Sequence, residues 1–244
     1  MRSHVIRILL TAVFLPGICA PSQAGSLQVE PVLIDVIAPG AASTVTLRND
    51  GDTRVDAQIR VFRWSQVDGQ EKLEPTDDVV ASPPAITVAP KTNYVARIVR
   101  VSKRPLLGEE NYRLFVDQLP DLAQQRNGAV KLVVRHSIPV FFGAPDKTIP
   151  TLAWSVAING GQVTVTSRNS GERRLRIAAL NLQDSNGRVI SFGNGLVGYA
   201  LGKSTMRWSA HGGAQGFGSG GPVSISAQGD NGPIHAVVSV VRGQ

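Results

Sequence analysis

Apolar and polar residues alternate with a period of two through most of the chain beyond residue 26. That is the pattern of strands with one face buried. Leu27, Val29, Pro31 and Leu33 alternate with Gln28, Glu30, Val32 and Ile34, so this first segment is apolar on much of both faces. Ser43 to Arg48 alternates cleanly and stops at Asn49-Asp50-Gly51-Asp52, a run of turn residues. Val55 to Trp64 alternates again and is followed by Asp68-Gly69, a strong hairpin signal. Ser82-Pro83-Pro84 breaks the chain. Ala85 to Val88, Tyr94 to Val101 and Tyr112 to Leu119 then read as strands, and Ala129 to Phe142 as a long one.

This predicts about seven strands between Ser26 and Phe142, with turns every 8–12 residues or so, which is how a β-sandwich reads. Gly143 to Lys147 has the composition of a linker. A second series follows: Leu152 to Ile158, Gln162 to Arg168, Arg174 to Gln183, Val189 to Ser191, Thr205 to Ser209, Val223 to Ala227 and Ile234 to Val241. Asn159-Gly160-Gly161 and Asn186-Gly187 are hairpin turns. Gly212 to Gly221 holds six glycines in ten residues and is expected to be a mobile, exposed loop. No apolar period of 3.6 residues is sustained over three turns. The fold class expected is all-β, two sandwich domains in series, with residues 25–145 in the first and 146–244 in the second.

The first 24 residues do not fit this pattern. Arg2, His4 and Arg7 precede an apolar run from Ile8 to Ile18, too short to span a bilayer. Ser22-Gln23-Ala24 puts small residues at the −3 and −1 positions of a cleavage site. Residues 1–24 therefore read as a signal peptide. The single cysteine, Cys19, lies inside it behind Ile18, which does not suit a lipid anchor. The mature chain would carry no disulfide and no cysteine metal site. The formal charge of +7, two units of it from Arg2 and Arg7, has no long basic run behind it. Nucleic acid is not an expected partner, and no membrane insertion is expected.

The groups of an enzyme do not assemble in the sequence. Of the four histidines, His4 leaves with the signal, and His136, His211 and His235 have no metal-ligand spacing. Glu109 and Glu110 are neighbours, and neighbours on a strand face opposite sides. Gly216 to Gly221 lacks the lysine and helix of a phosphate loop. No catalytic residue, cofactor or metal is expected.

Ala129 to Phe142 is the informative segment. Val130, Leu132, Val134, His136, Ile138 and Val140 share one face. Some fourteen residues is long for a strand, and Pro139 cannot donate to a ladder, which favours an edge. Soluble proteins normally blunt a long apolar edge, so an exposed one suits docking of another polypeptide by β-augmentation. The alternative is that this row faces the domain's own core.

The order of several segments resembles the periplasmic pilus chaperones of the chaperone–usher pathway. They are Ser26 to Val32, Thr44 to Asn49, Ser82 to Ala85 with Val88-Ala89-Pro90 and Arg97, Glu109 to Arg113, Leu119-Pro120 and Ile138 to Phe142. The resemblance implies two immunoglobulin-like sandwiches arranged as a boomerang. It implies that Val130, Leu132, Val134 and Ile138 complete the fold of a pilin-like subunit, which is then delivered to an outer-membrane usher. It also implies a periplasmic location. Better-known members anchor the subunit's C-terminal carboxylate with two cleft cations. Pro31 and Pro139 stand at those positions here, and the chain instead resembles the archaic, spore-coat-U-associated branch, where an ending like Ile138-Pro139-Val140-Phe141 is usual. Arg113 is the first candidate for a replacement anchor, and Arg97, Arg100 and Arg135 follow. Arg113 could instead pair with Glu109 or Glu110, and Arg97 could belong to a salt bridge at the domain junction. The competing function is a secreted two-domain adhesion module that binds through loops. A free chaperone could keep its edge open or hide it by self-association.

Overall fold

The computed structural model describes residues 27–120, 133–145 and 149–242. These form nineteen strands in four sheets. The first sandwich holds β1 (Leu27–Glu30), β2 (Ile34–Ile37), β3 (Ala42–Asn49), β4 (Val55–Val67), β5 (Gln70–Pro75), β6 (Val79–Ser82), β7 (Ala85–Val88), β8 (Thr92–Arg100), β9 (Glu109–Gln118) and β10 (Arg135–Gly143). One sheet runs β1-β3-β8-β6. The other runs β2-β10-β9-β4-β5, with β7 also on β4.

The chain changes sheets between β1 and β2, across the exposed Pro31. Proline suits such a crossing because it ends a ladder. Between the sheets lie Val45, Leu47, Ile59, Ile98, Tyr112, Leu114, Val140 and Phe142, all fully or nearly fully buried. They come from alternate positions, as the sequence pattern requires.

The second sandwich holds β11 (Leu152–Asn159), β12 (Gln162–Asn169), β13 (Leu175–Gln183), β14 (Val189–Ser191), β15 (Leu196–Ala200), β16 (Ser204–His211), β17 (Val223–Gly229), β18 (Gly232–Val238) and β19 (Val240–Arg242). Its sheets run β16-β12-β11-β19 and β14-β13-β17-β18, with β15 also on β13. Each sandwich closes one strand with the same device. Asn49 at the end of β3 donates to the carbonyls of Thr53 (2.7 Å) and Val88 (3.1 Å) and accepts from Gly51 N–H. Asn169 at the end of β12 does the same with Arg173 (2.7 Å), Ala200 (3.1 Å) and Gly171. Both amides are buried, and their bonds satisfy turn backbone that would otherwise be stranded there.

Among the described residues the long strand begins at Arg135. Ala129, Val130 and Leu132 lie outside the described residues. One expectation changes. The glycine-rich segment is not an open loop. Phe217 is fully buried in the second core, and Asp184 and Arg188 bind its backbone at Gly218 N–H and Gln215 C=O. One large aromatic outweighs the freedom of the glycines around it, because its burial gains about 2–3 kcal/mol.

The two sandwiches meet through Trp64, Phe141, Tyr199 and Leu201, which form a separate buried cluster. Gln66 spans the junction: its Nε2 donates to the Tyr199 carbonyl (2.7 Å) and its Oε1 accepts from Leu201 N–H (3.0 Å). Arg174 lies flat on Phe141, 3.6 Å from the ring centre, and reaches Glu109 and Asp35 (2.7 Å). Gly69 has φ +80° and touches the Arg207 side chain so closely that a Cβ would overlap it. Arg207 donates from its backbone N–H to the Gly69 carbonyl (3.0 Å).

Candidate functional site: an open strand edge above a cationic platform

β10 pairs with β9 along its whole length, from Arg135 opposite Asp117 to Gly143 opposite Glu109. On its other side it pairs with β2 only from Val140 to Gly143. Arg135 to Pro139 therefore has no strand on that side among the described residues. The Gln118 N–H donates to the Val134 carbonyl (3.0 Å), which makes that pair a hydrogen-bonded one. Antiparallel ladders alternate, so the N–H and C=O of Arg135 and Ser137 turn away from β9 toward the open side. Pro139 presents no donor there, and the parallel pairing with β2 starts just beyond it. β1, at the matching edge of the facing sheet, pairs with β3 alone.

The inward row of β10 changes character along its length. Phe142, Val140 and Ile138 belong to the core, and Ile138 is only 3% exposed. His136 and Val134 are half-buried. Ile138 is thus committed to the first sandwich, where the facing sheet still covers it, and Val134 is the member of the expected row that stays accessible. The reading in which this row faces the domain's own core holds for Ile138 and Val140.

The outward face of the same sheet carries arginines laid on aromatic rings. Phe62 and Phe115 stack tilted at 5.3 Å between centroids, with Arg60 over the first (5.5 Å) and Arg135 over the second (5.0 Å). Asp117 joins those two arginines, with Arg60 at 2.6 Å. Burial opposes ionisation of Asp117, but the hydrogen bonds from Arg135 and Arg60 outweigh it and hold the carboxyl below its usual range.

Arg113 lies one step along β9, directly opposite Pro139. Its guanidinium lies 3.8 Å from the Trp64 ring centre and 6.0 Å from that of Tyr199. Its carboxylate neighbour is Glu71 at 3.4 Å, longer than the roughly 2.7–2.9 Å of a tight charged pair. Glu109 and Glu110 are engaged elsewhere, Glu109 with Arg174 and Glu110 with Arg100. The face-on stacking fixes Arg113 while leaving donors at its edge.

The other expected cations differ. Arg100 is bound to both oxygens of Glu110 (2.8 and 2.9 Å) and to the carbonyls of Ser102 and Arg104, so it is an internal ion pair. Burial works against ionised Glu110, but Arg100 and the Tyr112 hydroxyl together hold it below its usual range. Arg97 is exposed on β8, in the sheet that does not contain β10, and forms no salt bridge among the described residues. It is not at the domain junction; Arg174 occupies that role. Arg135 is on the open edge itself, with its Nε–H engaged by Asp117.

A recess of 740 Å³ lies between β4 and β6, away from the open edge, lined by Val61, Arg63, Asp78 and Val80 among others. Its ionic groups hold one another: Arg63 and Arg104 both bind Asp78. The Arg63 hydrogen bond lowers the Asp78 carboxyl despite its partial burial. Among the described residues no cluster of three metal-binding side chains occurs, and no helix is long and apolar enough to cross a membrane.

The family model for the N-terminal domain of pili and flagellar-assembly chaperones matches residues 26–148. No curated protein matches the chain by sequence. Among solved structures, the CsuC–CsuE chaperone–tip adhesion subunit pre-assembly complex from the archaic chaperone–usher Csu pili of Acinetobacter baumannii is similar. The match has a TM-score of 0.66 at 22% identity and covers 90% of this chain and 100% of the other. The Salmonella enterica SafA pilin–SafB chaperone complex matches with a TM-score of 0.60 at 17% identity, over 89% and 98%. The E. coli chaperone DraB matches at 0.57 and 18%, over 87% and 98%.

Proposed function

The chain belongs to the pili and flagellar-assembly chaperones, and from that premise we propose how it binds its subunits. It lends the open edge of β10 and the residues that lead into it to a pilin-like subunit as that subunit's missing strand. The observation that carries this reading is the one-sided pairing of Arg135 to Pro139, a backbone edge left unfilled beside a well-packed core. Backbone groups of that edge supply affinity, and apolar side chains along the inward row fill the subunit's groove. Val130, Leu132 and Val134 form that row, with Ile138 anchoring its base in the chaperone's own core.

Arg113 receives the subunit's C-terminal carboxylate. Its place opposite Pro139, its stacking on Trp64 and its loose contact with Glu71 all favour this. A chain end carried into a cleft needs a paired charge, and an arginine held flat offers two parallel donors. Arg135 supports the strand beside it.

Residues 1–24 direct export and are removed. Residues 25–145 form the subunit-binding domain and 146–244 the second sandwich. The protein works in the periplasm by binding, without catalysis, and passes subunits to an outer-membrane usher. Co-expression with a pilin-like subunit encoded beside it tests the mechanism. The wild type should protect the subunit from proteolysis, and the double substitution of Leu132 and Val134 by Asp should abolish that protection. Intact protection by the double variant overturns it.

A further inference from the structure

The His136 ring Nε2 lies 3.2 Å from the carbonyl oxygen of Leu27, and the ring N–H donates to it. The two residues are 109 positions apart and sit in different sheets, His136 on β10 and Leu27 on β1. Both strands are edges on the same side of the sandwich, each with a neighbour on one flank only at this level. Below His136 the inward row is core, with Ile138 buried. Above it the row is accessible at Val134. The imidazole therefore stands where the domain's own core ends.

We infer that His136 is the positioning residue that ties the β1 edge to the donor strand and sets the register of donation, so that Val134 is the first side chain available to a subunit pocket. The inference rests on the strand-donation reading above. The physical argument has two parts. A row of apolar side chains that continued unbroken from core to groove would have no marked starting point, and a strand can slip by two residues without turning its face. A polar ring at the boundary, turned inward and held by a backbone acceptor, cannot be drawn into an apolar pocket without breaking that bond and leaving the carbonyl unpaired. It also holds β1 close to β10, so the two open edges present a fixed mouth to the incoming polypeptide. Position 136 would accept glutamine, whose amide also donates, but not alanine.

The test compares His136→Ala and His136→Gln with the wild type by amide exchange in the free protein. In parallel, each variant is co-expressed with a pilin-like subunit encoded beside it. In His136→Ala the amides of Gln28 to Glu30 should exchange at least fivefold faster, with those of β9 unchanged, and subunit protection should fall about tenfold. His136→Gln should restore both. Unchanged β1 exchange in His136→Ala, or faster exchange with full subunit protection, overturns the inference. Failure of the wild type to protect any subunit would sink the donation reading instead, and the β1 exchange rates would still decide whether the tether exists.

Discussion

Pro139 and Arg113 face each other across β10 and β9, so the residue that cannot extend the strand's ladder sits beside the cation proposed to hold the end of a bound chain. Pairing beyond that point belongs to β2. A subunit strand added to the open edge would run up to Pro139 and stop there, with its terminal carboxylate beside the Arg113 guanidinium. Replacing Arg113 by Ala removes charged hydrogen bonds that contribute about 1.5–3 kcal/mol each. Subunit binding should weaken roughly 10- to 100-fold, and the melting temperature should fall by a few degrees because the substitution uncovers Trp64. Arg113→Lys should recover only part of it, because an ammonium lacks the planar fork. Titration of purified subunit peptides, with and without a C-terminal amide, reads both effects, and the amidated peptide should lose its preference for wild type over Arg113→Ala.

Val134 and Ile138 lie on one face of one strand yet should answer differently to substitution. Ile138 is buried in the core, and its truncation to Ala should cost about 2–5 kcal/mol of stability. Val134→Asp should leave the melting temperature within a few degrees while eliminating subunit protection. Thermal melts of the two variants, set beside the co-expression assay, separate the core part of the row from the donated part.

Acid should loosen the first sandwich through Asp117, Glu110 and Asp78. All three are held below their usual range in the folded protein. Groups of that kind add stability above their unfolded pKa, near 4, and lose it as pH falls through the lower folded value. The melting temperature should be level between about pH 5 and 7 and fall below about pH 4. Asp117→Asn should flatten part of that fall. Melts at stepped pH would detect it.

Phe217 carries the glycine-rich segment into the second core. Phe217→Ala should destabilise that sandwich by about 3–5 kcal/mol and expose the segment to protease. Limited proteolysis, with fragments assigned by mass, would show cuts between residues 212 and 221 in the variant and not in the wild type.

The alternation of Val55 to Trp64 and Tyr112 to Leu119 was sufficient to read the sandwich strands, because period two with a buried face is a local signal. Ile34 to Ile37 was not, since its short parallel pairing with β10 depends on residues more than a hundred positions away. The same limit explains the arginines. Spacing puts Arg97 and Arg113 on strands, but only the sheet order shows that Arg97 lies in the sheet without β10 and Arg113 on the strand beside it. Glu109 and Glu110 were read as facing opposite ways, and they do, toward Arg174 and Arg100. Gly212 to Gly221 was misread because glycine content was weighed and the single Phe217 within it was not.

Gln66 is a two-point clip between the sandwiches, donating a hydrogen bond to the Tyr199 carbonyl and accepting one from the Leu201 N–H two positions along. Any change in the angle between the sandwiches must strip both bonds at once, in a place where water does not easily replace them. The cleft is therefore set before a subunit arrives. On the strand-donation reading, binding would have little hinge motion to draw upon, and the angle between the sandwiches would not serve to let the subunit go.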